Sequence, residues 1–97
     1  MLYLGIDLDR KQLTVSVRNE KGDVVLRRQV STWWDKVREF LKGMQAEAAR
    51  EGGFVAIVET CGFEDWLLGL LQEYDCREVV LVQPEKRSKK KTVGTAV

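Results

Sequence analysis

Leu2, Leu4, Ile6 and Leu8 alternate with Tyr3, Gly5, Asp7 and Asp9, the two-residue period of a strand with one buried face. Asp9-Arg10-Lys11 makes a short polar turn. Leu13, Val15 and Val17 then alternate with Thr14, Ser16 and Arg18, which predicts a second strand. Asn19 to Asp23, with Gly22 among them, supply a hairpin turn. Val24 through Val30 read as a third strand, and its Arg27 and Arg28 suit an edge position. Three strands joined by links this short form an antiparallel meander.

The period then changes. Ser31 or Thr32 is placed to cap a helix, and Trp33, Val37, Phe40, Leu41, Met44 and Ala48 fall on one helical stripe. Gly52 and Gly53 stop it. Phe54-Val55-Ala56-Ile57-Val58 shows no alternation, which predicts a central strand covered on both faces, running into Glu59. Phe63, Trp66, Leu67, Leu70, Leu71 and Tyr74 form a second helical stripe, and Glu78 to Val82 a last strand ended by Gln83-Pro84. Two strands joined across a helix are expected to be parallel, with a right-handed crossover. The order β-β-β-α-β-α-β is the ribonuclease H-like arrangement of the α/β class, whose mixed five-stranded sheet runs 3-2-1-4-5. Residues 1–84 read as that domain. Residues 85–97 carry no periodicity and read as a basic flexible tail or an unfinished helix.

At 97 residues the chain is one domain, small enough to be marginally stable. Its composition is that of an ordinary globule, 44% hydrophobic and 32% charged, with one proline. The net charge of +1 is unevenly spread. Residues 85–97 hold five basic side chains and one acidic one, a net +4, while residues 1–84 hold 11 basic and 14 acidic, a net −3. An acidic body with a basic tail points toward a nucleic-acid contact. Lys86, Arg87, Lys89, Lys90 and Lys91 form the run that would attract a phosphate backbone by counterion release. A solubilising tail is the plain alternative.

With no histidine in the chain, Ser-His and Cys-His nucleophile pairs and imidazole-built zinc sites are excluded. Cys61 and Cys76 are too few for a disulfide scaffold and read as reduced thiols of a cytoplasmic protein. The N-terminal apolar run is short and interrupted by Asp7 and Asp9, so neither a signal peptide nor a membrane partner is expected.

The candidate chemistry lies where two apolar runs each finish on a carboxylate, Asp7 and Glu59. In open α/β sheets ligands sit beyond the carboxyl ends of adjacent parallel strands. The order 3-2-1-4-5 puts the first strand beside the fourth, so the two acids converge and favour a shared cation. Such a pair can hold Mg²⁺ or Mn²⁺ with waters completing the shell, the arrangement paired-metal nucleases use on phosphodiesters. The structural alternatives are an Asx turn for Asp7 and helix-start hydrogen bonds for Glu59. Asp9 reads as the turn residue. Gly62 permits a tight turn or a close approach to phosphate, and Cys61 lacks a base to make it a nucleophile. Trp33 and Trp34 are adjacent, so both cannot face the core, and one is left to stack on a base or a partner.

Read together, these residues resemble the N-terminal resolvase-like (DEDD) catalytic domain of the insertion-sequence-110 family of transposases. The matching stretches are Gly5-Ile6-Asp7, Leu13-Thr14-Val15-Ser16-Val17, Gly22-Asp23-Val24-Val25, Val58-Glu59-Thr60-Cys61-Gly62 and Val79-Val80-Leu81-Val82-Gln83-Pro84. The resemblance implies metal-dependent DNA cleavage and rejoining by four carboxylates, with DNA and a structured guide RNA as partners, and with Asp7 and Glu59 as the first two carboxylates. It also implies a loss. Where the family pattern continues K-x-T-D-x-x-D-A, this chain has Thr92-Val93-Gly94-Thr95-Ala96-Val97, so Val93 and Ala96 replace the last two aspartates. The chain is therefore expected to be a truncated or decayed catalytic domain, or a trimmed one with non-native final residues, and inactive alone.

Two other functions stay open at this point. One is a non-catalytic nucleic-acid-binding module using the basic tail and an exposed tryptophan. The other is a fragment of an actin-like nucleotide-binding domain, since Gly5-Ile6-Asp7-Leu8 also opens the phosphate hairpin of that superfamily. Exposed sheet edges at the third and fifth strands would allow a homo-oligomer.

Overall fold

The computed structural model describes residues 1–59 and 65–82. In chain order the elements are β1 (Leu2–Leu8), β2 (Gln12–Arg18), β3 (Val24–Ser31), α1 (Trp34–Ala49), β4 (Phe54–Glu59), α2 (Asp65–Glu73) and β5 (Glu78–Val82). They form one five-stranded sheet ordered β3-β2-β1-β4-β5. β1, β2 and β3 pair antiparallel, whereas β1–β4 and β4–β5 pair parallel. The expected order and the edge position of Arg27 and Arg28 are both found.

One parity of each strand makes the core. Leu2, Leu4, Ile6 and Leu8 of β1 meet Val17, Val15 and Leu13 of β2 on one side and Phe54, Ala56 and Val58 of β4 on the other. All are buried and share a single cluster with Val37, Phe40, Leu41, Met44 and Ala48 of α1 and Leu67, Leu70 and Leu71 of α2. Both helices therefore cover the same face. The chain steps from β1 to β4 and from β4 to β5 in one direction across the sheet, and right-handed crossovers then put both connecting helices on one side.

The opposite parity is open. Tyr3, Ile57, Val80 and Val82 are 38–41% exposed, and the described residues supply no helix over them. This corrects the expectation that β4 is covered twice: Phe54, Ala56 and Val58 are buried, but Ile57 and Glu59 are exposed. An apolar side chain at every position of the run hid an alternation that only the one-sided helices make visible.

Two further expectations change at the head of α1. Neither Ser31 nor Thr32 caps the helix. Its N-cap is Trp33, without a side-chain hydrogen bond, because Ser31 still belongs to β3 and the Thr32 hydroxyl donates to the Arg10 carbonyl at 3.2 Å. Trp33 also leaves the buried stripe and is 75% exposed. The helix end is as expected. The Gly53 N–H donates to the Ala48 carbonyl at 2.8 Å, with Gly52 at φ 88° and Gly53 at φ 109°. Gly52→Ala, with open space around its Cβ, should lower stability by about 1–2 kcal/mol from the left-handed backbone alone, measured as a shift in urea midpoint. An unchanged midpoint would contradict that conformation.

In α2, Leu67, Leu70 and Leu71 are buried and Trp66 half-buried, and Tyr74, one residue past the helix end, is half-buried too, as the stripe predicted. Phe63, Thr60-Cys61-Gly62, Pro84 and the basic run lie outside the described residues, as does the proposed boundary between residues 84 and 85. Arg38 of α1 forms an ion pair with Glu73 of α2 that ties the two helices at the surface. No helix among the described residues is long and apolar enough to cross a membrane.

Candidate metal centre

Asp7 is the penultimate residue of β1 and Glu59 the last of β4. The two are register partners across the parallel pair. Their parity, shared with Tyr3, Gly5, Val55 and Ile57, directs both side chains to the open face. Neighbouring strands lie about 4.8 Å apart, so the two carboxylates stand side by side, at the carboxyl ends of adjacent parallel strands. Both are exposed. The row through them reads Gln29, Thr14, Asp7, Glu59, Val82 from β3 to β5.

The expectation for Asp9 is met. Its N–H donates to the Gln12 carbonyl at 3.0 Å and its Oδ1 accepts from the Arg10 N–H at 2.7 Å. Asp9 thus makes the turn, which leaves Asp7 without that duty. Among the described residues neither Asp7 nor Glu59 has a hydrogen-bond or ion-pair partner. Two like charges directly opposite on adjacent strands repel, and a divalent cation bridging them relieves that. The donors suit it: hard carboxylate oxygens, exposed enough for waters to complete the shell of Mg²⁺ or Mn²⁺. Among the described residues no third His, Cys, Asp or Glu joins the pair.

Register also gives a place beside the site to residues that sequence inspection read only as strand and edge positions. Arg18 of β2 and Arg27 of β3 share the parity of Asp7 and are exposed, so the β2–β3 half of the open face carries cations while the β1–β4–β5 half carries Asp7, Glu59 and Glu78. Alternation in each strand was the available signal, but it needed the strand pairing to become a surface. Ser16 lies in the row below Asp7, opposite Gly5. Its Oγ is buried with no partner, the only such side-chain atom among the described residues.

Cys76 is half-buried, its thiol donating to the Glu78 carbonyl at 3.2 Å. Burial pushes its pKa up, which keeps it protonated and unreactive. Lys86, Arg87, Lys89, Lys90 and Lys91 lie outside the described residues, so the structure does not place them relative to the carboxylates.

No protein-family model and no curated protein matches the chain. Solved structures do. Thermus thermophilus RuvC is 19% identical with a TM-score of 0.55, over 87% of this chain and 62% of that one. Marinitoga piezophila Argonaute, solved with a guide RNA, is 17% identical with a TM-score of 0.49, over 84% of this chain and 16% of that one. A ROK family protein from Streptococcus pneumoniae, solved with sucrose, is 14% identical with a TM-score of 0.47, over 86% of this chain and 34% of that one. The last two superpose too loosely to carry an argument. The chain thus spans about three fifths of RuvC's length. That likeness, the strand order and the antiparallel-then-parallel pairing together make this a ribonuclease H-like fold.

Proposed function

We propose that this chain is a decayed catalytic domain of a DNA transposase or recombinase, keeping half of a metal-dependent phosphodiester site. The observation that supports it is the meeting of Asp7 and Glu59 in register on one open face. The resemblance to insertion-sequence-110 transposases supplies the substrate class: DNA, with a structured guide RNA as partner.

When bound, a divalent metal at this pair would polarise a phosphate oxygen and neutralise charge that builds on it. The chain's own residues do the rest. Asp7 and Glu59 supply two ligands and orient them by strand register. Arg18 and Arg27, on the same face, draw the phosphate backbone toward that side. Thr14, beside Asp7, offers a neutral hydroxyl where a third anion would repel the substrate.

Val93 and Ala96 stand where the family's last two aspartates belong and cannot bind a cation. In this reading the chain binds metal weakly and does not cut DNA alone. Restoring Val93→Asp and Ala96→Asp together should produce Mg²⁺- or Mn²⁺-dependent nicking of supercoiled plasmid, absent from the parent chain and from the same variant carrying Asp7→Asn. Nicking by the parent chain would overturn the inactivity, and nicking indifferent to Asp7 would overturn the site.

The excess of basic residues beyond Glu85 favours a second, non-catalytic reading as a nucleic-acid-binding module. Deleting residues 86–91 should then weaken duplex binding by at least about tenfold at low salt and flatten the salt dependence of affinity. Filter binding across a salt series reads both, and an unchanged slope would assign the run to solubility.

A further inference from the structure

We infer that the basic run of residues 86–91 binds the open face of its own chain, its cations against Asp7 and Glu59, where it competes with divalent metal. The contact rests on strand register and charge. Its effect on metal rests on the reading of Asp7 and Glu59 as a metal centre.

The open face holds two chemistries side by side. Tyr3, Ile57, Val80 and Val82 are apolar and 38–41% exposed, with no described helix above them. At the carboxyl edge of the same face stand Asp7 and Glu59, register partners that lack a hydrogen-bond or ion-pair partner among the described residues. Two like charges held opposite each other repel and favour a counter-ion. The arginines of this face stand elsewhere. Arg18 of β2 lies in the row of Tyr3, and Arg27 of β3 in the row of Gly5.

Topology selects the occupant. β1, β4 and β5 run parallel, so all three end at one edge of the sheet. Val82, the last residue of β5, pairs with Glu59, which pairs with Asp7. The chain therefore leaves the sheet in the row of the carboxylates, about 5 Å from Glu59 and about 10 Å from Asp7 at one strand spacing each. Lys86 comes four residues after Val82, and four extended residues span up to about 14 Å. Residues 83–97 lie outside the described residues; their sequence and their point of departure fix this reach.

Five basic side chains against Glu85 alone give residues 85–97 a net +4. A short tether holds such cations at about millimolar effective concentration. Lysine and arginine lay long apolar stems on hydrocarbon while the charged head stays in water, which suits a carboxylate pair bordered by Ile57, Val80 and Val82. A second acidic group, Glu39, Glu47 and Glu51, lines a groove between α1 and β3. That groove lies at the opposite edge of the sheet, four strands from β5. Exposed ion pairs are individually weak, so the run offsets the repulsion between the acids in part and yields to a divalent ion. A nucleic-acid backbone, which binds the same cations, frees the pair for metal.

Carbodiimide coupling, which joins a lysine amine to a carboxylate it touches, tests the contact in the unaltered full chain. In EDTA at about 0.01 M salt, where charges act over about 30 Å, peptide mapping should find Lys86, Lys89, Lys90 or Lys91 joined to Asp7 or Glu59. Glu39, Glu47 and Glu51 should not be joined to the run. Mg²⁺ or a short duplex should suppress the products. Calorimetry at about 0.1 M salt, where remote charges are screened beyond about 10 Å, reads the competition. Lys86→Gln, Arg87→Gln and Lys89→Gln together should tighten Mg²⁺ binding by about fivefold, the low end of coupling between sites. Lys36→Gln, Lys42→Gln and Arg50→Gln, the same charge change at exposed positions on and just after α1, should leave it unchanged. Equal coupling to all the acids, or an equal effect from both triple variants, would overturn the inference. So would products joining labelled to unlabelled chains in an isotopic mixture, which would assign the face to a second copy. Products that persist with the duplex would overturn the release by nucleic acid. If coupling to Asp7 and Glu59 occurs but neither parent nor variants bind Mg²⁺, the contact stands and the metal reading falls. Metal binding that Asp7→Ala removes, without coupling and indifferent to the run, separates them the other way.

Discussion

Asp7→Ala should abolish divalent-metal binding by this chain. Asp7 and Glu59 are the two carboxylates of the described residues that meet on the open face, and no third ligating side chain joins them there. Loss of one leaves a single exposed carboxylate, which does not hold Mg²⁺ against water. Titration calorimetry with Mg²⁺ and with Mn²⁺ should give a dissociation constant of about a millimolar for the parent, the weak end of oxygen-ligand sites, and no heat above dilution for the variant. Glu59→Gln should behave alike. Identical isotherms for parent and variant would remove the assignment.

The same pair makes a second, opposite-signed expectation that a merely damaged protein would not show. Without metal, two like charges directly opposite on adjacent strands cost about 0.2–1 kcal/mol. Asp7→Asn should therefore raise the metal-free melting temperature slightly while losing the stabilisation that Mg²⁺ gives the parent through binding to the native state alone. A variant that melts lower, with or without metal, would show that Asp7 serves the fold.

Phe54→Ala should be among the most destabilising single substitutions, at about 3–5 kcal/mol. Phe54 is 1% exposed, the largest fully buried side chain among the described residues, and begins β4 opposite Leu2. Its carbonyl also accepts from the Arg77 N–H at 2.9 Å, holding the entry to β5. Against the 5–15 kcal/mol of a typical domain, and in a chain whose size limits its core, that loss leaves little native protein at ambient temperature. Urea unfolding followed by circular dichroism measures it, and metal binding should vanish with the fold. A cost under about 1 kcal/mol would mean that β4 does not pack as described.

Much of this architecture is written locally. Alternation in Leu2–Leu8 and Leu13–Val17, short polar links and two stripes of period 3.6 are properties of neighbouring residues, so they specify strands, hairpins and helices without knowledge of the whole. The ribonuclease H-like arrangement that this order of elements matches then places the first strand beside the fourth and brings the carboxylates together. What stayed hidden is not local. Phe54 to Val58 is apolar throughout, and whether Ile57 meets a helix or water depends on which face both helices take. Ser31 and Thr32 have capping chemistry, but the turn at Arg10 drew the Thr32 hydroxyl away. Trp33 fits the helical stripe by spacing and leaves it because it sits at the N-cap, before helical geometry begins.

From its residues alone this chain determined five strands, two helices, their order, and the strand ends that carry Asp7 and Glu59, because each follows from periodicity and chain connectivity. Tertiary structure alone decided that one face of the sheet stays open, that Arg18 and Arg27 share it with the carboxylates, and that Trp33 leaves the buried stripe for the surface. Those depend on helix placement and strand register across distant segments, which short-range pattern does not encode.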